Sequence, residues 1–447
     1  MTTMIQKYKH SIRISALSVV LMSLSPQIQA ITIKEAIEDA IIHNPDFRQE
    51  VKGYRAIEAE VRGAQGGYYP KLDIYAGYGY EEVDKPGLNN QGDGLMRREA
   101  QILLTQNLFE GFGTQDEVAR QKYRLDAQAY KTIAKANDIA LEMAQAYVNL
   151  LKEQELLDLA QSNLDTHLKI FDQIKKRAEA GIGNQVEVDQ AQARLALAQS
   201  NYGAAENNFY DARAKFRRIL GRQPDNDLIK PSFRAKMPKN IDEATNTALL
   251  DHPTMKSANA DIAEARMQYE ASAKNYYPKI DLEVGQRLDH NIDGIEGENN
   301  NLQAMVVMSY NLYNGGRDAA TRKQTSSQYH QATEIRNNTR RQIIENLRYA
   351  WNANEYIGNQ LEYVNQHIKL THETLLGYRK QFSLGRRSLL DLLNTENEYI
   401  SAMRTLITNE ADQLNAKYRI LAGTGHLLDE LGIKYSFIEA EEEHTDE

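Results

Sequence analysis

The strongest constraint on this chain is that it repeats itself. Tyr68-Tyr69-Pro70-Lys71-Leu72-Asp73 returns as Tyr276-Tyr277-Pro278-Lys279-Ile280-Asp281, an offset of 208 residues (276 − 68). The same offset carries Glu35 onto Glu243, Pro45 onto Pro253 and Gly77 onto Gly285 without a gap. Farther along the offset is 204: Asn107-Leu108-Phe109 maps onto Asn311-Leu312-Tyr313, and Gly181 with Val186-Glu187-Val188 maps onto Gly385 with Leu390-Asp391-Leu392. A unit of about 200 residues in tandem restricts the fold to two structurally equivalent halves.

Each half opens with a short helical pattern ending before a proline, Ile33 to His43 and Ile241 to Asp251. A second helix follows, stopped by the Tyr-Tyr-Pro triplet. The period then changes to two. Leu72, Ile74, Ala76, Tyr78 and Tyr80 alternate with Asp73, Tyr75, Gly77 and Gly79, and Ile280, Leu282, Val284, Gln286 and Leu288 repeat the pattern. Partner strands are expected over Ala100 to Phe109 and Leu302 to Tyr313, across polar, glycine-rich tips at Asp84 to Gly94 and Asn291 to Asn301. These lengths suit outer-membrane strands, and Tyr68, Tyr69, Phe109, Phe112, Tyr276, Tyr277 and Tyr313 fall where an interfacial aromatic belt would lie. Tyrosine is also common in ordinary strands.

After each hairpin a very long helix is expected, from about Asp116 to Ala180 and from about Asp318 to Leu384. Met143, Leu150, Leu157, Leu164, Phe171 and Ala178 recur every seven residues, and offset by 204 they become Leu347, Asn354, Leu361, Ile368, Leu375 and Phe382. That is a coiled-coil seam. Return helices keep the register through Val188, Leu195, Tyr202, Phe209 and Phe216, and through Leu393, Ile400, Ile407, Leu414 and Leu421. Glycines mark the reversals at Gly181, Gly183 and Gly385 and close the return helices at Gly221 and Gly423.

At about 1.5 Å per residue the long helix reaches roughly 100 Å, the return helix roughly 50 Å and the pre-hairpin helix roughly 30 Å. The last two can therefore stack end to end along the first. Four strands cannot close a membrane barrel, which needs at least about eight, whereas three chains supply twelve. The expected fold is an α+β membrane protein: a homotrimeric 12-stranded outer-membrane β-barrel continued by a long α-helical coiled-coil tunnel.

The first thirty residues agree with export. A basic segment (Lys7, Lys9, Arg13), an apolar run from Ile14 to Leu24 and a terminal Ala30 have the order of a cleaved signal, the alternative being a buried N-terminal helix. No later run of roughly 18 apolar residues could cross a bilayer as a helix. There is no cysteine, which removes disulfides, thiolate metal sites and a lipidated N-terminus together. A net charge of −9 argues against nucleic-acid binding, and a mean hydropathy of −0.62 fits extensive polar helical surface. The chain divides into a signal segment over 1–30, a first repeat over 31–239 (hairpin 71–109, helix pair 116–221), a second over 240–430 (hairpin 279–313, helix pair 318–423) and an acidic tail over 431–447.

The repeated hairpin-plus-long-helix unit, the two Tyr-Tyr-Pro-Lys strand starts, Asn311-Leu312-Tyr313-Asn314-Gly315-Gly316-Arg317, and Phe382-Ser383-Leu384-Gly385-Arg386-Arg387-Ser388-Leu389-Leu390-Asp391 resemble the TolC family of trimeric outer-membrane channels. The resemblance covers roughly residues 31 to 430. It implies outer-membrane lipid around the barrel, a tunnel in the periplasm, a periplasmic adaptor docked at the helix-turn tip, and an inner-membrane ABC transporter or other pump beyond it. The tyrosine-rich first strand, the missing lipidation cysteine and the acidic tail are more similar to the branch serving type I protein secretion than to the drug-efflux branch.

The resemblance also implies a periplasmic constriction. Phe382 stands where a linking tyrosine often sits, Arg387 where a bridging arginine sits and Asp391 where a constricting carboxylate sits. Two positions depart: Phe382 lacks the hydroxyl, and Asn394 replaces a second acidic residue. Glu187, the first-repeat counterpart of Asp391, completes the candidate gate, and Gly181, Gly183, Gly385, Arg386 and Ser388 form the tip for adaptor docking. Asp391 can equally be a carboxylate favoured by the dipole of a helix start, and Arg386 and Arg387 can be solvated turn residues. No metalloprotease helix, P-loop or nucleophile elbow is present, so neither catalysis nor a cofactor is expected. Two other functions stay open at this point, the outer-membrane duct of a multidrug pump and an exported coiled-coil scaffold without a pore.

Overall fold

The computed structural model describes residues 31–84, 94–222 and 228–433. The expected signal segment over 1–30, the first hairpin tip over 85–93 and all but the first three residues of the expected 431–447 tail lie outside those residues.

The helices run α1 (Ile33–His43), α2 (Pro45–Gln65), α3 (Gly113–Glu179), α4 (Gln185–Leu220), α5 (Ile241–Asp251), α6 (Pro253–Ala271), α7 (Arg317–Ser383), α8 (Leu389–Thr424) and a short α9 (Leu427–Glu430). The strands are β1 (Lys71–Glu81), β2 (Leu95–Phe109), β3 (Lys279–Ile292) and β4 (Ile295–Ser309). Both long helices have 67 residues and both return helices 36. Every boundary of α3 and α4 maps onto α7 and α8 at the 204-residue offset read from the sequence.

Local chemistry sets the short elements. Thr32 and Glu35 form a reciprocal capping box on α1, and Asn44 caps α2 with Pro45 in its first turn, where proline's missing N–H costs nothing. In the second repeat Asn240 caps α5, and the His252 ring caps α6 by accepting from Thr254 N–H at 3.2 Å. After Gly66–Tyr68 and Lys274–Tyr276, single 3₁₀ turns, the chain enters β1 and β3.

The four strands form one antiparallel sheet in the order β1-β2-β3-β4, with β1 and β4 as its edges. Register separates the faces. Leu72, Ile74 and Tyr78 share an exposed apolar face with Ile102, Leu288, Leu302 and Val306. The other face carries charge in linked pairs. Arg97 donates to Glu81 and Glu99 at 2.6 and 2.9 Å, Arg287 to Glu99 and Asp289 at 3.3 and 3.0 Å, and Asn107 to Asp281 at 2.9 Å. One apolar and one polar face is the pattern of a barrel wall between lipid and water.

The second hairpin departs from the expected tip. The stretch Asn291 to Asn301 is mostly strand, closed by Asp293-Gly294 at φ of 55° and 77°. Positive φ at both central residues is a type I′ turn, whose twist matches the strands it joins. β4 also ends at Ser309, leaving Tyr310 to Tyr313 outside the sheet. At the other end of the long hairpin, α8 stops at Gly425 (φ 83°) and not at Gly423, which lies inside the helix against Leu347. The 204 offset carries Gly221 onto Gly425, so both return helices end on equivalent left-handed glycines.

Three clusters hold the helices. The largest gathers Ile37, Met143, Phe216 and Leu421 around Tyr147, whose hydroxyl lies 2.8 Å from the Ile31 carbonyl and 2.7 Å from that of Ile229. Burial pushes that phenol up to about 12, so it stays a protonated donor tying the segment before α1 and the inter-repeat connector to α3. A second cluster packs α5 and α6 on α7 and α8 through Ala248, Met255, Leu347 and Ile420. The third sits at the far hairpin ends. Between them the long helices run side by side, with α2 and α6 flanking the upper part of α3 through Arg124–Glu60 and Arg120–Glu264 pairs. Much of the heptad seam, including Leu157, Leu164, Leu361 and Ile368, is half-buried, because each long helix shares its contacts between two neighbours.

Candidate functional site at the helical hairpin tips

Both long hairpins reverse with the same backbone. Gly181 N–H donates to Ala178 and Ile182 N–H to Arg177; Gly385 N–H donates to Phe382 and Arg386 N–H to Gln381. Left-handed glycines at φ 73° and 71° make these Schellman turns, where a side chain would cost about 1–2 kcal/mol. Each return helix then starts on a side-chain cap, Asn184 accepting from Glu187 N–H at 2.9 Å and Ser388 from Asp391 N–H at 3.1 Å. Glu187 and Asp391 thus occupy the same first-turn position, where the helix dipole favours a carboxylate. Gly183 sits close to the Glu187 carboxylate and the Ala178 backbone.

The second tip carries more chemistry. Arg387 Nε lies 3.2 Å from the Asp391 carboxylate, and Arg387 Nη2 donates to the Tyr378 hydroxyl while the guanidinium stacks 3.9 Å from that ring's centre. A phenol one helical turn before Phe382 thus partners Arg387. Phe382 itself receives the Arg177 guanidinium from α3 at 5.3 Å, and Asn394 accepts from Arg194 Nη2 of α4 at 3.2 Å. Both departures from the family pattern are met by arginines of the first hairpin. Arg386 and Ser388 are exposed, and the turn uses the Arg386 backbone N–H.

Behind the tip, Ile170, Ile174, Val188, Ala191, Leu389 and Leu393 form an apolar plug from α3, α4 and α8, with Phe382 of α7 against it. Above the plug lies a buried polar layer. Glu396, 2% exposed, accepts twice from Arg379 at 2.9 and 2.8 Å. Nearby His167 is buried, and desolvation lowers its pKa against the opposing pull of Glu396. Tyr378 was readable in advance, being four residues from Phe382 on one helix face. Arg177 and Arg194 were not, because their partners belong to the other repeat and only the packing of α3 on α8 makes them neighbours.

Residues 36–222 and 244–426 match the family described as "Outer membrane efflux protein". The chain belongs to that family. The two matched blocks begin 208 residues apart and end 204 apart, so each covers one copy of the repeat. Among curated relatives, the outer membrane efflux protein BepC of Brucella suis is 24% identical over 92% of this chain and 90% of its own length. TolC of Escherichia coli is 22% identical over 91% and 82%, and the alkaline protease secretion protein AprF of Pseudomonas aeruginosa 21% over 88% and 84%. The solved Campylobacter jejuni CmeC outer membrane channel shares the fold at a TM-score of 0.78, with 16% identity over 88% of this chain and 86% of that one.

As a member of this family the chain is an outer-membrane channel of tripartite efflux systems and not an enzyme. Three copies close the four-stranded sheets into one twelve-stranded barrel, which pairs the edges β1 and β4 that a single chain leaves open in hydrocarbon. The apolar face meets lipid, the charged face lines the pore, and the long helices continue as a tunnel in the periplasm.

Proposed function

We propose that this channel is the exit duct of a type I protein secretion system, receiving cargo from an ABC transporter through a periplasmic adaptor. The likeness to AprF, a protein named for protease secretion and matched over 84% of its length, carries this reading. Deleting the gene should abolish export of one or a few large proteins while leaving drug sensitivity unchanged. Drug hypersensitivity with intact protein export overturns it.

The same reading assigns the tips. Asp391, Arg387, Phe382, Asn394 and Glu187 form the periplasmic constriction. The turns at Gly181, Gly183, Gly385, Arg386 and Ser388 form the adaptor-docking end, where Ile182 (73% exposed), Val186 and Leu384 (70%) present the apolar surface a protein partner would cover. Three Asp391 carboxylates converging on the axis would create a local potential that binds multivalent cations and is screened by salt. Single-channel recordings test this. Asp391→Ala should remove cation block, and Arg387→Ala should raise conductance by freeing Tyr378. Unchanged block in Asp391→Ala assigns the carboxylate to helix capping alone.

A further inference from the structure

The four long helices lie in the order α4, α3, α8, α7, because α3 packs on both α4 and α8, and α7 packs on α8. The two flanks of this wall, α4 and α7, are internal duplicates of α8 and α3. The seam between α3 and α8 inside one chain is therefore a template for a seam between α7 and α4 of the next copy.

Inside the chain, Leu151 and Lys152 of α3 line a cavity of about 50 Å³ together with Ile407, Ala411 and Leu414 of α8. The 204 offset carries Lys152 onto Tyr356 of α7, and Ala411 onto Asn207 of α4. Both are exposed. Tyr356 belongs to a ladder of seven-residue spacing along α7: Tyr349, Tyr356, Tyr363 and Leu370 are 57%, 69%, 70% and 53% exposed. Their α3 counterparts are Gln145, Lys152, Leu159 and Thr166, so α7 has gained bulk. On α4 the change runs the other way. Ile400 and Ile407 of α8 correspond to Ala196 and Gly203, exposed on α4, and nothing lies within 4 Å of where a Gly203 side chain would start.

We propose that the tyrosine ladder of α7 seats in the Ala196, Ser200 and Gly203 groove on α4 of the next protomer, and that this exchange of bulk determines which hairpins become neighbours. If Lys152 pairs with Ala411, the duplicate pair is Tyr356 with Asn207, and one heptad nearer the tip Tyr363 meets Ser200. Volume-conserving exchanges are tolerated in packed seams, whereas mismatched ones overpack or leave voids. The face of α7 that carries Tyr363, set against the α8 surface that α3 occupies, would press Tyr363 on Ile407, while the face of α3 that carries Leu159, set against the exposed face of α4, would leave Gly203 facing a gap. Each flank thereby rejects the wrong neighbour, and the head-to-tail contact closes on itself. The inference rests on the trimeric barrel and not on the secretion reading.

Because the chain has no cysteine, paired thiols report contacts cleanly. Tyr363→Cys with Ser200→Cys, treated with a short bis-maleimide in outer membranes, should yield covalent dimers and trimers on denaturing gels. Lys152→Cys with Ala411→Cys should cross-link within one chain and run as monomer. A working control pair with no covalent oligomer from the first pair overturns the proposal, as does a cross-link from Tyr363→Cys to a different protein. Gly203→Leu fits the isolated protomer but fills the groove. It should lower the heat-sensitive trimer at least tenfold, and adding Tyr363→Ala should restore most of it. Full trimer in Gly203→Leu, or no rescue by Tyr363→Ala, also overturns it.

Discussion

The two hairpin tips share one backbone and differ in what hangs on it. Both turn through a left-handed glycine and start the return helix on a side-chain cap. Yet the first tip presents Lys175 and Gln192, both exposed, where the second has Arg379 and the buried Glu396. The duplication thus supplied geometry to both halves, and later side-chain changes concentrated ionic links on the α7–α8 side. In the gate proposed above, one hairpin pair is the anchored scaffold and the other carries the contacts that opening would break.

The sharpest way to break this comparison is to remove one cation from each tip. Arg379→Ala leaves the Glu396 carboxylate without its counter-ion at 2% exposure. Uncovering a buried charge costs about 3–5 kcal/mol, and the partial exposure of Arg379 lowers the expected loss to about 2–3 kcal/mol. Lys175→Ala should stay within about 0.5 kcal/mol. Thermal unfolding of the solubilised trimer, with proteolysis of the tips, reads both. Equal effects would show that the two tips are energetically alike.

What could be read in advance follows the same division. The repeat, the helix lengths and the alternation of β1 and β3 are local or periodic, so they survive in one chain of letters. The turn at Asp293-Gly294 was hidden because Asn299-Asn300-Asn301 looks like loop, although in β4 those amides lie opposite Asp289, Leu288 and Arg287 of β3. Gly423 attracted the helix end because it is a glycine two residues early; its lack of a side chain instead lets the helix approach Leu347. The links from Arg177 to Phe382 and from Arg194 to Asn394 join segments some 200 residues apart, which no local pattern reports.

A second contrast between repeats concerns caps. Asn44 starts α2 and its counterpart His252 starts α6, accepting through Nδ1. Burial lowers the His252 pKa to about 4, from about 6.5 when unfolded. The unfolded chain therefore binds the proton first, so stability is complete above pH 6.5 and falls as pH drops toward 4, then levels off. Losing a cap costs about 1 kcal/mol; the full shift corresponds to about 3 kcal/mol, and because the ring is only half-buried the expected decline over that window is about 1–2 kcal/mol. His252→Asn should flatten much of the slope, leaving the part due to His167, which shifts in the same direction. An unchanged slope in His252→Asn would remove this difference between the repeats. The check is trimer melting followed from pH 7 to pH 4.

The smallest expected effect lies at the junction of barrel and tunnel. Phe112 and Gly316 are equivalent N-terminal caps of α3 and α7, and both are left-handed, at φ of 66° and 79°. Phe112 carries a strain of about 1–2 kcal/mol that Gly316 avoids. It is held there by edge-on contacts with Phe109 and Tyr277, at 5.6 and 6.4 Å between ring centres. Each such pair contributes about 0.5–1.5 kcal/mol. Phe112→Gly relieves the strain and forfeits both contacts, so the two effects nearly cancel and the net change should stay within about 1 kcal/mol. Phe112→Ala forfeits the contacts and keeps the strain, so it should be the more destabilising of the two. If Phe112→Gly instead melts well below the unmodified protein, the aromatic cluster outweighs the backbone at this junction, and the first repeat has built a stiffer joint than the second.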